Sequence, residues 1–404
     1  MTSRNDVLIV GGGPAGMLAG YLFARAGVAT KVIEKHGDFF RDFRGDTVHP
    51  STMEILSQLG LLGRFLSRPH NRVTSARIRI GGRDWTIGDL SHLDTPAPFI
   101  AMMPQWEFLD FLRQEARNLP AFSLAMDEPV VDFVSVKDRV VGVRYESGRE
   151  ERAGKLVIAA DGRSSLVRTR DMLPVEVLGA PMDVLWFQLP KHDGGGDAIR
   201  GSIDPGRMVV LIDRDDYWQA AYLIPKGAER DIRGRGLEWL RDQVGKAFPD
   251  VDLSGGFPQS DDEVRLLSVA LDRLSCWSRP GLLAIGDAAH AMSPIGGIGI
   301  NLAIQDAVAA ANALAGPLAR PGMQAQEVDR LLYRVQKRRL FPTRVIQAGQ
   351  KAAQDNIIGA VLGGGEVRVP WFVRLLDRYP LLRRIPGRII GLGVRRERVK
   401  SPRA

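Results

Sequence analysis

Three carboxylates in the sequence stand near glycines at the end of a short apolar run. Glu34 follows a glycine-rich segment, Asp161 precedes Gly162, and Gly286 precedes Asp287. In each case a short apolar run, typical of a buried strand, lies just upstream. An acid next to a glycine at the carboxyl end of such a strand points into the crevice where α/β sheets hold their ligands.

The first of these acids belongs to a complete dinucleotide-binding pattern. Residues 6–10 predict a strand, which is followed by G-x-G-x-x-G and by an apolar helix that ends at Gly27. A second strand, "ATKVIEKH", carries Glu34 near its end, where its carboxylate can accept hydrogen bonds from a ribose. Strand, glycines, helix, strand and acid in this order predict a dinucleotide site.

The glycines of this pattern have separate roles. Gly11 permits the tight turn, Gly13 lets a pyrophosphate approach the main chain, and Gly16 lets the helix pack on the strand. Pro14 suits the first turn of the helix, whose free N–H groups would bind the phosphates.

Two further strands end in the other acids. "KLVIAA" leads into Asp161, with Ser165 and Arg168 behind it, and "GLLAI" leads into the Gly-Asp pair at Asp287. A loop rich in glycine, Pro294–Gly299, follows and precedes the apolar helix "NLAIQDAVAAANAL".

These ordered stretches resemble those of the FAD-dependent aromatic hydroxylases, the single-component flavoprotein monooxygenases similar to p-hydroxybenzoate hydroxylase and the ubiquinone-biosynthesis hydroxylases. The resemblance implies that the glycine motif binds the ADP half of FAD. It implies that the Asp161 motif serves both FAD and the passing nicotinamide, and that Asp287 binds the ribitol. The Pro294 loop would border the isoalloxazine, and the next helix would direct its N-terminal N–H groups at the pyrimidine side of the ring.

The resemblance therefore predicts a set of site residues. The predicted cofactor-binding residues are Gly11, Gly13, Ala15, Gly16, Glu34, Lys35, Arg44, Gln105, Asp161, Gly162, Arg168, Gly286, Asp287, Pro294, Gly297, Gly299, Ile300 and Asn301. Pro294, Gly296 and Gly297 are the predicted catalytic residues beside the flavin ring, and no metal site is expected.

The chain departs from the family pattern at two positions near the flavin. The family usually has P-x-x-G-Q-G-x-N with a glycine two residues later, whereas this chain has Ile298 for the glutamine and Ala303 for that glycine. The first change removes a polar side chain that we expect near the flavin edge.

Two stretches between the first motifs carry weaker signals. After the second strand, the resemblance directs Arg44 to the flavin or its diphosphate, against the alternative of a solvated surface arginine. Ser51 and Glu54 predict a capping box at a helix start. Further on, "MMPQWEFLDFLRQEA" predicts a strand and then a helix, with Gln105 either on the cofactor or simply first in the helix.

The predicted fold class is α/β: a Rossmann-like FAD-binding domain with an inserted mixed β-sheet substrate domain and a helical C-terminal region. The FAD-binding domain would comprise 1–180 and 276–315, with "RVTSARIRIGGRDWTIGDL" as an inserted hairpin. Strand-like runs place the substrate sheet at 181–275, and a turn falls on the glycines 194–196. Residues 316–404 would be helical. Four residues of this sheet are candidates to line the substrate cavity, with the sheet core or its outer face as the alternative location: Trp186, Gln188, Trp218 and Tyr222.

The resemblance implies a monooxygenase that uses NADH or NADPH and O2 to hydroxylate an aromatic or quinone-like small molecule through a C4a-hydroperoxyflavin. Two alternatives stay open, a flavin-dependent reductase of lipid double bonds and a non-catalytic flavin-binding protein. A flavin-dependent halogenase would share the fold, but its W-x-W-x-I-P signature is missing from the seven tryptophans.

Composition limits compartment and partners. The single cysteine, Cys276, excludes an intramolecular disulfide, and we expect it to be buried in a cytoplasmic protein. We find no signal peptide, no apolar run of transmembrane length, and no nucleic-acid-binding motif. The net charge of +8 favours acidic ligands or anionic surfaces. The basic, apolar stretch 367–404 predicts either a helical cap, which we favour, or a membrane-surface segment, and the oligomeric state stays open.

Overall fold

The computed structural model describes residues 5–40, 47–191, 199–214, 216–362 and 369–404. Its strands are β1 (Val7–Val10), β2 (Thr30–Ile33), β3 (Thr47–Val48), β4 (Asn71–Val73), β5 (Ser75–Ile80), β6 (Arg83–Asp89), β7 (Ile100–Met102), β8 (Phe122–Ala125), β9 (Val130–Val136), β10 (Arg139–Tyr145), β11 (Glu150–Arg152), β12 (Leu156–Ala159), β13 (Val175–Val177), β14 (Met182–Pro190), β15 (Ile199–Asp204), β16 (Arg207–Asp213), β17 (Tyr217–Pro225), β18 (Arg265–Leu267), β19 (Asp272–Leu274), β20 (Ser278–Arg279), β21 (Leu282–Ala284) and β22 (His290–Ala291). Its helices are α1 (Pro14–Arg25), α2 (Pro50–Gln58), α3 (Leu62–Leu66), α4 (Gln105–Ala116), α5 (Leu166–Thr169), α6 (Glu229–Arg233), α7 (Leu237–Ala247), α8 (Gly299–Ala319), α9 (Ala325–Ala353), α10 (Gly359–Leu362), α11 (Trp371–Arg378) and α12 (Arg384–Leu392).

A mainly parallel sheet forms the centre of the molecule. Within the described residues its strand order is β20-β21-β12-β1-β2-β8, and all neighbours except β20 and β21 pair in parallel. Strands β1, β12 and β21 are fully buried, which explains why they are continuous apolar runs rather than alternating ones.

Both faces of this sheet are covered. Residues of α1, α4, α8 and α9 share one apolar core with one face of the sheet. The antiparallel strands β9 and β10 pack with Trp277 against the other face. This layering confirms the predicted Rossmann-like α/β domain.

A second sheet lies in the predicted substrate region. Among the described strands its order is β18-β14-β17-β16-β15-β5-β6, antiparallel except for the parallel pair β15 and β5, so it is mixed as expected. The predicted hairpin is present as β5 and β6, but it extends this sheet. Residues 75–89 therefore pair with the strands of 181–275, although the predicted division placed them in 1–180. The glycines 194–196 lie outside the described residues.

Side chains on the two faces of this sheet have different partners. The outer face, which includes Trp218 and Tyr222, packs under α7. Trp186 lies on the inner face, in a cluster with Ile295 of the glycine-rich loop. Gln188 lies two residues after Trp186 on β14, so it is on the same face, and it is exposed.

Three expectations about individual elements are wrong. Helix α2 starts at Pro50, and neither Ser51 nor His49 caps it through a side chain, because the fixed φ of proline defines the first turn. Cys276 is exposed rather than buried. No run of transmembrane length was expected, but the segment Ile295–Ala319 is long and apolar enough to cross a membrane. In the structure 78% of its most apolar window is buried, as in a core helix.

Candidate active site

The acid–glycine motifs converge because their strands are parallel neighbours. Strands β1, β2, β12 and β21 all point the same way, so Gly11, Glu34, Asp161 and Gly286 lie at one edge of the sheet. The contacts of the glycines confirm this proximity. A Cβ added to Gly11 would lie 2.4 Å from the Ala160 oxygen, and one added to Gly286 would lie 3.0 Å from the Ala15 Cβ.

The three glycines of the first motif differ in the space around them. A Cβ on Gly16 would lie 1.9 Å from the Gly11 oxygen, so only glycine allows α1 to pack on β1. A Cβ on Gly13 would meet no atom within 4 Å. The open space at Gly13, in front of the N-terminus of α1, is the cradle that a pyrophosphate needs.

Glu34 lies where a ribose-binding acid is expected. Its carboxylate accepts hydrogen bonds from the N–H groups of Gly12 (2.8 Å) and His36 (3.1 Å), which hold it at the end of β2. Lys35 is exposed, and its charge lies near enough to Asp161 to favour the ionised carboxylate. These residues fit the ADP half of FAD.

The Asp161 motif forms a compact turn. The carboxylate of Asp161 accepts hydrogen bonds from the Ser165 hydroxyl and from the Leu166 N–H (2.9 Å). Burial raises the pKa of Asp161 above its ordinary value despite these hydrogen bonds. Gly162 has φ +85°, a conformation that favours glycine, so the turn requires the Asp-Gly pair.

Arg168 binds the main chain of the Gly-Asp loop, so its guanidinium is already engaged within the protein. It donates to the carbonyl oxygens of Ala288 (3.0 Å) and Asp287 (3.0 Å), and it forms an ion pair with Asp272. The carboxylate of Asp287 lies 3.3 Å from the Arg163 guanidinium, and its side chain is about one third exposed. Asp287 thus remains accessible to a ribitol while its main chain is fixed.

A buried ionic network supports the same loop from the other side. Asp306 of α8 accepts hydrogen bonds from the Gly286 N–H (3.1 Å), from His290 Nε2 (2.6 Å) and from Arg339 Nε (2.8 Å). Arg339 also reaches Glu397 of the C-terminal segment at 3.4 Å. Burial alone would raise the pKa of Asp306, but its interactions with His290 and Arg339 hold the pKa below the ordinary value.

Sequence reasoning missed this network, although one signal was present. Asp306 is the single acid in the apolar run "NLAIQDAVAAANAL", and Asp306, His290 and Arg339 are all fully buried. An acid in such a position requires a buried cationic partner.

The glycine-rich loop is fixed by β3. Gly296 and Gly297 have φ values of +77° and +61°. The Thr47 hydroxyl donates to the Gly297 oxygen at 2.8 Å and leaves no space for a side chain at Gly297, since an added Cβ would lie 2.3 Å from that hydroxyl. Pro294 and Ile295 begin this loop, and Ile295 packs on the inner face of the second sheet.

Asn301 fastens the start of α8 to the neighbouring elements. Its oxygen accepts from the His49 N–H (2.9 Å) and the Thr52 hydroxyl (2.8 Å), and its nitrogen donates to the Thr47 and Gly297 oxygens. Any contact with a flavin from this position would therefore come from the main chain. The first turn of α8 has N–H groups without intrahelical acceptors, and Gly299 and Ile300 are partly exposed there.

The two departures from the family pattern have structural explanations. Ile298 packs in a small apolar cluster with Met292, Leu302 and Ile346. Ala303 packs against Gly286, whose missing side chain provides the space.

Two predicted residues remain less defined. Arg44 lies outside the described residues. Gln105 is the partly exposed first residue of α4, which fits both of its predicted roles. The cofactor contacts of all predicted site residues stay predictions.

The inner face of the second sheet provides a roof for the site. Trp186, Ala221, Val210 and Gly201 form one row across β14, β17, β16 and β15. Ala221 and Gly201 are the small residues of this row, and Trp186, Ala221 and Val210 share one apolar cluster with Ile295 of the loop and with Ile358 and Leu362. Gln219 lies two residues before Ala221 on β17, so it is on the same face, where it pairs with Gln188. It is 3% exposed.

Two buried donors on this face have no hydrogen-bond partner within the described part of the chain. They are Trp186 Nε1 and Gln219 Nε2. Trp186 pairs with Ala221 and Gln188 pairs with Gln219, so Trp186 and Gln219 are diagonal neighbours on adjacent strands. One small ligand can reach both. Buried polar groups are normally satisfied, so this pair is a candidate for binding an acceptor oxygen of a ligand.

The comparisons with known proteins agree with this geometry. Residues 4–348 match the family described as an FAD binding domain. The chain belongs to this family. It is 29% identical to the 6-methylpretetramide 4-monooxygenase of Streptomyces rimosus over 394 residues, which cover 96% of the chain and 92% of the relative.

Solved structures show the same fold. The crystal structure of p-nitrophenol 4-monooxygenase from Pseudomonas putida DLL-E4 is similar with a TM-score of 0.72 and 22% identity, over 96% of the chain and 95% of that protein. A flavin-dependent brominase is similar with a TM-score of 0.71 and 19% identity, over 98% and 95%. The chain is an FAD-dependent monooxygenase, which confirms the family, the fold class and the FAD cofactor inferred from the sequence.

Proposed function

We propose that the enzyme uses NADH or NADPH and O2 to hydroxylate a fused-ring or quinone-like aromatic compound in the cytoplasm. One observation carries the substrate class: an apolar roof with small residues at its centre also holds two unpartnered buried donors, Trp186 Nε1 and Gln219 Nε2. We expect a flat apolar ring system to bind at the small residues Ala221 and Gly201, which are neighbours of Val210 in this row. The name of the similar 6-methylpretetramide 4-monooxygenase supports a substrate of this kind.

The residues of the chain have distinct tasks in this reaction. FAD, when bound, supplies the redox and oxygen chemistry. The N-terminus of α1 and Glu34 hold the nucleotide, while Arg168 and Asp306 keep the Gly-Asp loop in place for the ribitol. The roof excludes water from the site, and Trp186 and Gln219 orient the substrate by donating to its phenolic or quinone oxygen.

The test is substrate-stimulated turnover. NADH and NADPH oxidation and O2 uptake are followed with single-ring phenols, naphthols, hydroxyanthraquinones and quinone precursors. We expect slow oxidation alone and a marked rise with a fused-ring phenol. NAD(P)H-dependent double-bond reduction without O2 uptake would support the lipid-reductase alternative. Absence of stimulation by every compound of the panel would contradict the proposed substrate class.

Variants of the roof sharpen this test. Trp186→Phe and Gln219→Ala each remove one donor, and each should raise KM about five- to tenfold, as expected for one lost hydrogen bond. FAD content should not change. Trp218→Phe is the matched control, because Trp218 lies on the outer face of the same sheet. Equal effects of Trp186→Phe and Trp218→Phe on KM would contradict the assignment of the inner face.

A further inference from the structure

The C-terminal helices expose an unusual amount of apolar surface. Trp371 is 76% exposed, Leu381 is 69% exposed and Ile385 is 59% exposed, and four more residues of the same segment belong to this set: Phe372, Leu375, Tyr379 and Ile389. Single exposed apolar residues are ordinary, but seven of them within residues 371–389 indicate an interaction surface.

The helices are firmly attached by their opposite sides. Val373 of α11 is buried in a cluster with Ile80 and Trp85. In α12, a Cβ on Gly387 would lie 1.9 Å from the Asp89 oxygen, so the helix backbone rests directly on β6. The exposed residues therefore do not belong to a loosely placed segment.

The same outward faces are basic. In α11, Arg374 and Arg378 are exposed beside Trp371 and Leu375, as the helical period of 3.6 residues requires. In α12, Arg384 and Arg388 are exposed beside Ile385 and Ile389.

Acidic residues balance these arginines only in part: the Asp89 carboxylate at the end of β6 lies near Arg384. Asp377 is the one acid in the sequence from 371 to 392. Its carboxylate forms ion pairs with Arg83 and Arg383.

We propose that the outward faces of α11 and α12 form a docking surface for an anionic lipid membrane. Aromatic and aliphatic residues would enter the interfacial region, and the arginines would extend to the headgroups while their aliphatic stems stay in apolar surroundings. Trp371 has the exposure and the neighbours typical of an interfacial tryptophan.

A second copy of the chain fits this surface less well. A two-fold interface places the same patch of both subunits face to face. The exposed arginines of one copy, among them Arg374, Arg378 and Arg388, would then meet those of the other with few acids to neutralise them. Anionic headgroups provide the complementary charge.

The experiment measures vesicle co-sedimentation of the full-length holoenzyme. The vesicles contain phosphatidylcholine with one third phosphatidylglycerol, and pure phosphatidylcholine vesicles are the control. We expect clear binding to the anionic vesicles that falls as salt is raised. Since each basic residue contributes about fivefold to binding at such a surface, Arg374→Glu with Arg378→Glu should weaken it at least about 25-fold.

A matched charge control separates this surface from overall charge. Arg117→Glu with Arg230→Glu changes the net charge equally at exposed positions of the α4 end and α6. This variant should lose much less binding than the α11 variant. Equal losses, or equal binding to both kinds of vesicle, would overturn the proposal.

Trp371→Ala with Leu375→Ala tests the apolar part of the surface. It should weaken vesicle binding while FAD content and the thermal unfolding temperature stay unchanged. Light scattering of the wild type and of this variant gives the oligomeric state in solution. A wild-type dimer that becomes monomeric in the variant, with no vesicle binding by either protein, would assign the surface to self-association instead.

Discussion

The two ends of the cofactor edge are built in different ways. At the nucleotide end, main chain touches main chain, and added Cβ atoms on Gly11 and Gly16 would lie 2.4 Å and 1.9 Å from carbonyl oxygens. At the flavin end, side chains from distant segments hold the loops, above all Arg168, Asp306 and Asn301. Apart from the contact of Gly11 with Ala160, the nucleotide end is therefore encoded in one continuous stretch, whereas the flavin end depends on contacts between distant segments.

The largest expected effect concerns the nucleotide end. Gly16→Ala places a methyl group against the Gly11 oxygen, so we expect no stable holoenzyme and a lower unfolding temperature of the apoprotein. Gly13→Val has room in the apoprotein and should abolish FAD binding without lowering that temperature. Thermal unfolding of both apoproteins and flavin absorbance check this pair. Full FAD occupancy of Gly13→Val would contradict the assigned pyrophosphate site.

The next effect concerns the buried network at the flavin end. Asp306→Ala leaves the buried Arg339 without its main partner, which should cost about 3–5 kcal/mol of stability and weaken FAD retention. Asp329→Ala is a matched control, because Asp329 accepts from the Gly281 N–H and pairs with Arg139 near the opposite end of β21. Urea unfolding and FAD dissociation constants measure both. Equal FAD loss in the two variants would show that Asp306 has no special relation to the loop.

A pH effect arises from His49, also at the flavin end. Burial lowers the pKa of His49 to about 4, despite the hydrogen bond of Nδ1 with the Ile390 oxygen at 2.7 Å. The unfolded chain, with a pKa near 6.5, takes up the proton first as pH falls. Stability is thus fully present above about pH 6.5 and is lost toward pH 4, by about 3 kcal/mol. The wild type should therefore lose more stability than His49→Gln between pH 7 and pH 4.5, and parallel stability curves would contradict this account.

The smallest of these effects concerns direct contact with the cofactor. Asp287→Ala should weaken FAD binding roughly ten- to hundredfold, because a hydrogen bond to a charged group is worth about 1.5–3 kcal/mol. Asp287→Asn, which keeps an acceptor oxygen, should have a smaller effect. Fluorescence titration of the apoproteins with FAD measures both, and an unchanged dissociation constant for a folded Asp287→Ala enzyme would remove Asp287 from the site.

The contrast between the two ends explains what could be predicted. The pattern from residue 6 to Glu34 predicts both the local fold and its ligand, since the contacts of Gly16 with Gly11 and of Gly12 with Glu34 lie within one βαβ unit. The strand ends at Asp161 and Asp287 were also predictable, and parallel pairing brings them together. Long-range side-chain contacts were not predictable in the same way, since the partners Asp306 and Arg339 are 33 residues apart in the sequence.

Local sequence patterns did not predict the partners of side chains and strands that are determined by contacts distant in sequence. Glu54, expected to cap α2, instead pairs with Arg396 of the C-terminal segment at 3.2 Å. The hairpin β5–β6 was recognised by its alternation, but only its pairing with β15 assigns it to the second sheet. Trp186 and Trp218 both looked like candidates for the cavity, and only strand register shows that they face opposite sides.

The most direct test of the central claim is the origin of the oxygen atom in the product. The enzyme is incubated with NAD(P)H, the aromatic compound that stimulates turnover most, and 18O-labelled O2, and the product mass is determined. We predict a gain of one labelled oxygen atom per product molecule, with the second atom released as water. Stimulated NAD(P)H consumption that yields hydrogen peroxide and an unlabelled aromatic compound would contradict the account.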